Sequence, residues 1–283
     1  MTNEGLNWYP ETLHGSFQQR FQITEIIYQS KTEYQDLVIF ETPFFGRVLA
    51  LDNVIQTTER DEAAYHEMIT HVPILAHGSV KDVLIIGGGD GGALRDVLKH
   101  SAIKKVTMVE IDRNVVELCQ KFLPSISDGA FGDPRSELVI ADGLSFVKET
   151  DQRFDLIIVD STDPIGPSLP LFSDEFYSDC RKVLRPDGIF ICQSGVSFVQ
   201  KDEAQKTYKR LKDIYEDAAL YLTVVPTYAF GFMTLGWGAR STTARSTDIN
   251  TVRSRFSAAD IDTHYYTPEI HIACFSLPAY MHY

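Results

Sequence analysis

The order of apolar and polar residues divides the chain into two parts that follow different periods. In the first part, the segments FQITEIIYQ, DLVIFET and FGRVLALDNVIQTT alternate between apolar and polar positions, and Leu51-Asp52-Asn53 marks a turn. A period of two residues is typical of a strand with one buried face. The pattern predicts a small antiparallel β-sheet domain over residues 1–58.

The period becomes helical from Thr58 onward. In ERDEAAYHEMITHVPILAH the apolar residues recur at helical spacing, at Tyr65, Met68, Ile69 and Val72. Thr58 and Asp61 have the spacing of a capping box, which predicts that the helix begins there. Pro73 lacks a backbone N–H, so we expect it to kink or end the helix.

From Lys81 onward, short apolar strands alternate with amphipathic helices. The predicted strands are DVLII, KVTMVE, SELVIA, FDLIIVD and GIFICQ, and the predicted helices are GALRDVLKH, VVELCQKFL, GLSFVKE, DEFYSDCRKVL and KDEAQKTYKRLKDIYED. This alternation is typical of an α/β fold with a mostly parallel sheet and helices on both faces. We therefore predict a Rossmann-like catalytic domain over residues 59–283, with residues 240–250 as a surface loop. In such a sheet, ligands bind at the carboxyl ends of the strands.

The first of these strands runs into the glycine-rich stretch GGGDGGALRDVLKH, residues 87–100. Glycines between a strand and a helix allow a ligand to approach the backbone closely, and the helix start offers free amides. A glycine-rich turn alone is a weak signal, but here it has the required strand–turn–helix context. Its centre carries the carboxylate of Asp90, which would repel a phosphate.

The next two strands also end in acidic residues. Glu110 follows the glycines by about twenty residues, where an acidic side chain commonly binds the two ribose hydroxyls of a nucleoside. Asp142 can accept a hydrogen bond from an adenine amino group, with Gly143 leaving room for the ring. The alternatives are that Glu110 is an ordinary helix-capping carboxylate and that Asp142 caps the helix that follows it.

The fourth strand ends at Asp160, and Asp163 follows in the proline-containing loop DSTDPIGP. A purely structural turn is the alternative for this loop. With Asp90, Glu110 and Asp142, these residues gather five carboxylates at one edge of the sheet, and the loop motifs contain no Lys or Arg. A metal ion is one candidate ligand, but there is no histidine cluster and no pattern of alternating oxygen ligands. An organic cation fits the residues better.

The composition agrees with a small cationic ligand and argues against several other classes. The formal net charge of −13 disfavours binding to nucleic acid. The four cysteines form no CxxC pair, which argues against zinc and disulfides and favours a reducing cytoplasm. No signal peptide is visible, and no apolar run reaches the roughly 18 residues of a membrane-spanning helix.

These motifs resemble those of the spermidine synthases, the polyamine aminopropyltransferases. The resemblance rests on QTTERDEAAYHEM, GGGDGGALRDVLKH, VEID, DSTDPIGP and VVPTYAFGFM in that order, and extends from WYPETLHG to YYTPEIHIACFSLPAY. It implies transfer of an aminopropyl group from decarboxylated S-adenosylmethionine to putrescine, with methylthioadenosine and spermidine as products. It implies no cofactor and no metal, since the donor is a co-substrate whose sulfonium activates its own propyl carbon.

The resemblance also implies a division of the site. The residues expected around the donor's nucleoside and sulfur are Gln35, Glu110, Asp142, Gly143 and Pro167. Those expected around the acceptor amine are Tyr65, His66, Asp160, Asp163 and Tyr228. His66 departs from the glutamine of many family members, although histidine also occurs in bacterial sequences. Asp90 would pair with the donor's ammonium and repel the carboxylate of S-adenosylmethionine.

We expect Asp160 to act as the general base, with Tyr65 helping to orient the attacking nitrogen. Asp163 would hold the reactive end of the acceptor, while the far ammonium would meet His66 or other acids. The loop from Asp163 to Phe172 is a candidate lid. We also expect a homodimer or homotetramer, in part because the aromatic stretch from Phe40 to Phe45 has an exposed pattern.

Four other functions compete with this prediction. A methyltransferase of the same fold is disfavoured by Asp90 and by the DSTDP loop. A related transferase could use spermidine, cadaverine or agmatine as acceptor, and the sequence does not decide among them. A non-catalytic polyamine-binding protein would not need Asp160. A dehydrogenase would need a loop suited to pyrophosphate.

Overall fold

The computed structural model describes residues 7–11 and 13–282, so residues 1–6, 12 and 283 of the two predicted domains lie outside it. The chain begins with two small antiparallel sheets. A hairpin pairs β1 (Asn7–Glu11) with β2 (Gln19–Ile23), and a four-stranded sheet follows in the order β3 (Glu25–Lys31), β4 (Asp36–Thr42), β5 (Gly46–Leu51) and β6 (Val54–Thr58).

The four-stranded sheet is apolar on both faces because it is covered on both. One face packs with the hairpin through Phe40 and Phe21, and the other packs Leu37 and Leu51 on the helix that carries Cys119. Strand alternation turns Phe40 inward with no exposed surface, whereas Phe44 in the following turn is 59% exposed. The predicted exposed aromatic stretch is therefore wrong at Phe40.

A long helix, α1 (Ala63–His77), leads into the larger sheet. It runs through Pro73 and ends at Gly78, whose φ of 78° supplies the left-handed cap, so the prediction that Pro73 ends the helix is wrong. The helix begins later than predicted, because Glu62 is the N-cap and makes no capping hydrogen bond, although Thr58 Oγ1 accepts from Asp61 N–H at 3.3 Å, as in the predicted capping box. Thr58 and Asp61 do bond each other at 2.6 Å, and Asp61 accepts two further bonds from Thr227.

The predicted alternation of strands and helices is confirmed between residues 82 and 214 apart from one short extra helix, and two strands and two helices that were not predicted follow it. The elements after α1 are β7 (Asp82–Gly87), α2 (Gly92–Lys99), β8 (Lys105–Glu110), α3 (Arg113–Phe122), α4 (Pro124–Ser127), β9 (Ser136–Ile140), α5 (Gly143–Glu149), β10 (Phe154–Asp160), α6 (Asp174–Val183), β11 (Leu184–Val196), α7 (Lys201–Ile214), β12 (Asp217–Val224), β13 (Phe232–Ala239), α8 (Ile249–Ala259) and α9 (Pro268–Ala273). Short 3-10 helices lie at Ala130–Gly132, Gly166–Phe172 and Ala279–Met281. The segment from 240 to 248 is a loop, as expected.

The large sheet has the order β12-β13-β11-β10-β7-β8-β9. The five strands from β11 to β9 are parallel, and β13 and β12 extend the sheet antiparallel at one edge. This confirms the Rossmann-like, mostly parallel sheet, although the sequence pattern did not predict β12 and β13. Along β7, Val83 and Ile85 join the core beneath α1 and α2, while Leu84 and Ile86 join the core beneath α6. Burial on both faces explains the continuous apolar run.

The topology places β7 and β10 side by side at the point where the strand order reverses. Gly87 and Asp160 are direct partners at the carboxyl ends of these two strands. A crevice at this position is the usual ligand site of an open parallel sheet. Among the described residues, no helix is long and apolar enough to cross a membrane.

Candidate active site

A deep pocket lies at the carboxyl ends of the parallel strands, beneath the first two sheets. Every site residue predicted from the sequence lines it, namely Gln35, Tyr65, His66, Asp90, Glu110, Asp142, Gly143, Asp160, Asp163, Pro167 and Tyr228. No Lys or Arg is among the described residues that line it. The pocket therefore collects carboxylates without a Lys or Arg in its wall, which favours a cationic ligand.

The glycine loop lies against the backbone of the DSTDP loop. Gly88 N–H donates to the carbonyl oxygen of Asp160 at 2.8 Å. Gly87 has a φ of 82°, and a Cβ there would lie 2.2 Å from the same oxygen. Because only glycine permits this close approach, the loop brings the Asp160 carboxylate to the floor of the pocket.

Glu110 and Asp142 stand at the ends of β8 and β9. Glu110 is buried and accepts a hydrogen bond from Asp112 N–H at 2.9 Å, yet burial raises its pKa to about 7. Asp142 caps α5 by accepting from the N–H groups of Leu144 and Ser145, both at 3.2 Å. Both acids reach the pocket wall, and Gln35 approaches from the loop between β3 and β4.

Asp160 has two different oxygens. Its Oδ1 accepts a hydrogen bond from the Tyr65 hydroxyl at 2.8 Å. Its Oδ2 is buried and has no hydrogen-bond partner among the described residues. Burial, together with the negative charge of Asp90, raises the pKa of Asp160 to about 6 against the opposing effect of His66. Asp160 is thus a carboxylate of unusually high basicity that lines the pocket and has one oxygen without a partner.

Asp163 and Tyr228 are held by different parts of the fold. Asp163 Oδ2 accepts from Gln200 Nε2 at 3.1 Å, and burial raises the pKa of Asp163. Tyr228 donates its hydroxyl to the carbonyl oxygen of Gln56 at 2.7 Å, so it presents its ring to the pocket. The predicted lid is not irregular throughout, since Gly166–Phe172 forms a 3-10 helix.

His66 differs from the expectation that it would meet the far ammonium of the acceptor. Its Nδ1 lies 2.7 Å from Glu62 Oε2 and its Nε2 lies 3.4 Å from Asp90 Oδ2. Burial would lower the pKa of His66, but Asp90 and Glu62 together raise it well above its usual value. An imidazolium offers no lone pair to an ammonium, so the geometry argues against that contact.

Several polar residues of the pocket wall were not identified from the sequence, among them Glu11, Gln193 and Gln200. Glu11 is buried and accepts hydrogen bonds from Ile55 N–H at 2.9 Å and from the Gln19 side chain. Gln193 and Gln200 support the Asp163 loop. Glu11 lies in the WYPETLHG motif, which was noted only as part of the resemblance. Glu11 is far along the chain from the strand ends, so no local sequence pattern linked it to the site.

The structure also bears on metal binding. Among residues 7–11 and 13–282, no group of three or more His, Cys, Asp or Glu side chains has the geometry to hold a metal ion. All four cysteines are free and buried.

Comparison with known proteins shows similarity along nearly the whole chain. Residues 62–248 match the family model described as the spermine/spermidine synthase domain, and residues 7–59 match the spermidine synthase tetramerisation domain. A polyamine aminopropyltransferase of Ruegeria sp. (strain TM1040) is 54% identical over 97% of this chain and 96% of its own. One of Serratia proteamaculans (strain 568) is 51% identical over 97% and 95%.

Solved structures show the same architecture. A crystal structure of spermidine synthase in complex with the transition-state analogue AdoDATO matches with a TM-score of 0.92 and 36% identity, covering 98% of this chain and 94% of that chain. The spermidine synthase of Thermotoga maritima matches with a TM-score of 0.89 and 35% identity, covering 98% and 93%.

Proposed function

The chain belongs to the spermidine synthase family of polyamine aminopropyltransferases, and from that premise we propose the roles of its residues in the reaction. The enzyme transfers the aminopropyl group of decarboxylated S-adenosylmethionine to putrescine, giving spermidine and methylthioadenosine. The observation that carries the residue assignment is the buried, unpartnered Oδ2 of Asp160 in a pocket lined by acids.

The donor's adenosine lies at the strand ends in this proposal. Glu110 accepts hydrogen bonds from both ribose hydroxyls. Asp142 accepts a hydrogen bond from the adenine amino group while it also caps α5, and Gly143 leaves room for the adenine ring. A Cβ at Gly143 would lie 2.5 Å from the Ile86 side chain, so the packing of β7 requires glycine there. Gln35 and Pro167 complete the wall around the sugar and the sulfur.

The acceptor must lose a proton before it can attack. An amine of pKa about 10.4 costs roughly 4 to 5 kcal/mol to deprotonate at pH 7. In the proposed step, the attacking nitrogen gives one proton to Asp160 Oδ2, while the Tyr65 hydroxyl holds Oδ1 in place. Because the pKa of Asp160 is raised to about 6, it is mostly ionised at pH 7 and is a stronger base than an ordinary carboxylate.

The bond changes then balance without a covalent enzyme intermediate. The nitrogen lone pair forms a bond to the propyl carbon attached to the sulfonium, and the carbon–sulfur bond breaks. Its electron pair returns to sulfur, so methylthioadenosine leaves as a neutral thioether and positive charge appears on the new secondary ammonium. Asp160 is neutral once it holds the proton, so it is the carboxylate of Asp163 that is fixed near this developing charge and stabilises the transition state.

The far ammonium of putrescine requires another anion, because His66 is already paired on both nitrogens. We assign this contact to Glu11, which is buried in the pocket wall and whose pKa is raised by burial and, to a smaller extent, by Asp163. An ammonium beside Glu11 favours the ionised form of this carboxylate and offsets the effect of its burial.

The proposal extends to organisation and setting. We keep residues 1–58 and 59–283 as the two domains, and a homodimer or homotetramer as the assembly, supported by the match to a tetramerisation domain. Four free, buried cysteines favour a reducing cytoplasm. The net charge of −13 argues against a nucleic-acid partner.

An acceptor panel tests the function directly. The purified protein is incubated with decarboxylated S-adenosylmethionine and putrescine, cadaverine, agmatine or spermidine, and methylthioadenosine and the new polyamine are quantified. We expect the highest kcat/KM with putrescine. A higher kcat/KM with another amine would overturn the putrescine assignment, and methyl transfer from S-adenosylmethionine would support the methyltransferase alternative.

A further inference from the structure

A row of alternating charges runs from the pocket wall into the starts of α1 and α2. Beyond Asp90 and His66, Glu62 receives both terminal nitrogens of Arg95, at 3.0 and 2.9 Å. Arg95 Nε is 2.9 Å from the fully buried carboxylate of Asp96. Only Asp90 and His66 of this row line the pocket. The other members therefore act on substrates only through these two.

The shape of the glycine loop fixes the His66 ring in this row. A Cβ at Gly92 would lie 2.2 Å from His66 Nδ1, so the imidazole packs directly on the loop backbone. The N–H of Gly92 also donates to Asp90 Oδ1 at 2.9 Å. Glycine at position 92 is thus explained by the histidine beside it, and Asp90 is held through one oxygen by the backbone and through the other by the ring.

The charge on His66 follows from all the groups that face it. These are Glu62 and Tyr65 on its own helix, Asp90 in the glycine loop, Arg95 on α2 behind Glu62, and Asp160 at the end of β10. Glu62 remains an anion because His66 and Arg95 lower its pKa against the effect of burial. His66 consequently lies between two carboxylates, hydrogen-bonded to Glu62 and ion-paired with Asp90.

We propose that Glu62 is a positioning residue that, with Arg95 behind it, holds His66 as a fixed imidazolium beside Asp90 and so tunes the basicity of Asp160. The proposal rests on the proposed function, because Asp160 is the base of that reaction. Its physical basis is the crowding of Asp90, Asp160 and Asp163 in one pocket without Lys or Arg. Without a nearby cation, these acids would hold both the base and the attacking amine in their protonated forms.

The first test is the pH profile of kcat/KM for Glu62→Gln. The amide removes one of the two anions that keep His66 charged, so the acid limb of the profile should move upward by about half a pH unit or more. Glu269→Gln is the matched control, since it removes a carboxylate from an exposed pair with Arg253 at 2.8 Å. Its acid limb should stay at the wild-type position.

A double-mutant cycle separates positioning from folding. In His66→Gln the cation is already absent, so adding Glu62→Gln should produce no further shift of the acid limb. Equal and additive shifts in the two backgrounds would overturn the proposal, and so would an unchanged acid limb in Glu62→Gln alone. Circular dichroism and thermal unfolding show which variants are folded.

A measurement on the wild-type protein keeps the proposal testable if Glu62→Gln does not fold. Nitrogen-15 NMR of labelled histidines, with His66 assigned by the signal missing in His66→Gln, should show protonation at both ring nitrogens at pH 7 and pH 8. A neutral tautomer at pH 7 would overturn the proposal. This readout needs no turnover, so it is independent of the acceptor panel that tests the function.

Discussion

Tyr65 donates its hydroxyl to one oxygen of Asp160 at 2.8 Å and leaves the other oxygen buried without a partner. A buried carboxylate oxygen without a hydrogen bond destabilises a folded protein. This cost is consistent with a site in which the unpartnered oxygen, Oδ2, accepts a proton from the substrate. Tyr65 comes from α1 and Asp160 from β10, so the relationship is created by the packing of that helix on the sheet.

The first prediction concerns turnover in Asp160→Asn. The amide keeps the shape of the side chain but cannot take the proton from the attacking amine, so kcat should fall by about 10² to 10⁴ while methylthioadenosine still binds. Steady-state kinetics and calorimetric titration measure the two effects. Asp187→Asn, at an exposed position of β11, should keep wild-type turnover. A kcat of Asp160→Asn within threefold of wild type would remove Asp160 from the role of base.

The second prediction is that the same substitution stabilises the fold in a pH-dependent way. The folded pKa of Asp160 is raised from 3.8 to about 6, so its contribution to stability is complete below pH 3.8 and is lost as pH rises through 6. The amide of Asp160→Asn does not titrate, so the variant does not lose this stability as pH rises. Its gain in the free energy of unfolding over wild type should therefore be larger at pH 7.5 than at pH 4.5, as measured by urea denaturation. A gain that is equal at both values would contradict the raised pKa.

A third prediction links nucleoside binding to proton release at Glu110. Burial raises the pKa of Glu110 to about 7 in the free protein. Two ribose hydroxyls that donate to its carboxylate favour the ionised form, so methylthioadenosine should bind more tightly as pH rises from 6 to 8. Calorimetry at pH 6.5 in buffers of different ionisation enthalpy should show that binding releases protons. Glu110→Gln should abolish the release, and proton uptake by wild type would show that the ribose lies elsewhere.

The fourth prediction concerns donor selection by Asp90. Asp90→Asn removes the anion that repels the carboxylate of S-adenosylmethionine and leaves the neighbouring His66 imidazolium facing the pocket. The affinity ratio between the decarboxylated donor and S-adenosylmethionine should fall by at least about tenfold, or about 1.4 kcal/mol. Competition binding measures the ratio. Asp163→Asn is the control and should keep the wild-type ratio, whereas an unchanged ratio in Asp90→Asn would show that Asp90 does not face the donor's tail.

The sequence predicted the parallel sheet and the acidic strand ends because both leave strong local signals. Residues buried on both faces read as continuous apolar runs, and the loop residues that follow them are set by topology. The N-cap role of Asp142 was predictable for the same reason, because Asp142 lies directly before a predicted helix. Antiparallel β12 and β13 were missed, although Phe232–Ala239 is largely buried. Its two interior glycines weaken the strand signal, since Gly236 and Gly238 leave room for α7 and Tyr215.

Contacts between distant segments could not be predicted from local patterns. Glu11 reaches the pocket because the hairpin folds over the sheet, and Asp61 bonds Thr227 across 166 residues of chain. The pairing of His66 with Glu62 was visible as an i, i+4 spacing, but its charge depends on Asp90 from a different element. Pro73 was misjudged because the cost of one missing hydrogen bond is outweighed by packing, since every residue from Ala64 to Ala76 is buried.

The last prediction concerns the order in which the substrates bind. Glu110 and Asp142 stand on sheet strands and adjoining turns, so the nucleoside pocket is largely preformed. The segment from Asp163 to Phe172 is different, because Ile165 and Leu169 are 62% and 58% exposed while Pro167 and Leu171 line the pocket. A nucleoside in the pocket gives these two residues an apolar surface to pack on, whereas putrescine alone leaves them without that surface.

Limited proteolysis of this segment tests the order. Methylthioadenosine should slow cleavage near Leu169, and methylthioadenosine together with putrescine should slow it further. Putrescine alone should protect this segment poorly. Glu110→Gln serves as the control, because a weakened nucleoside site should lose the protection that methylthioadenosine gives while the segment itself is unchanged. If putrescine alone protects as well as the pair, the acceptor binds first in an independent cation pocket, and the donor-first order is wrong.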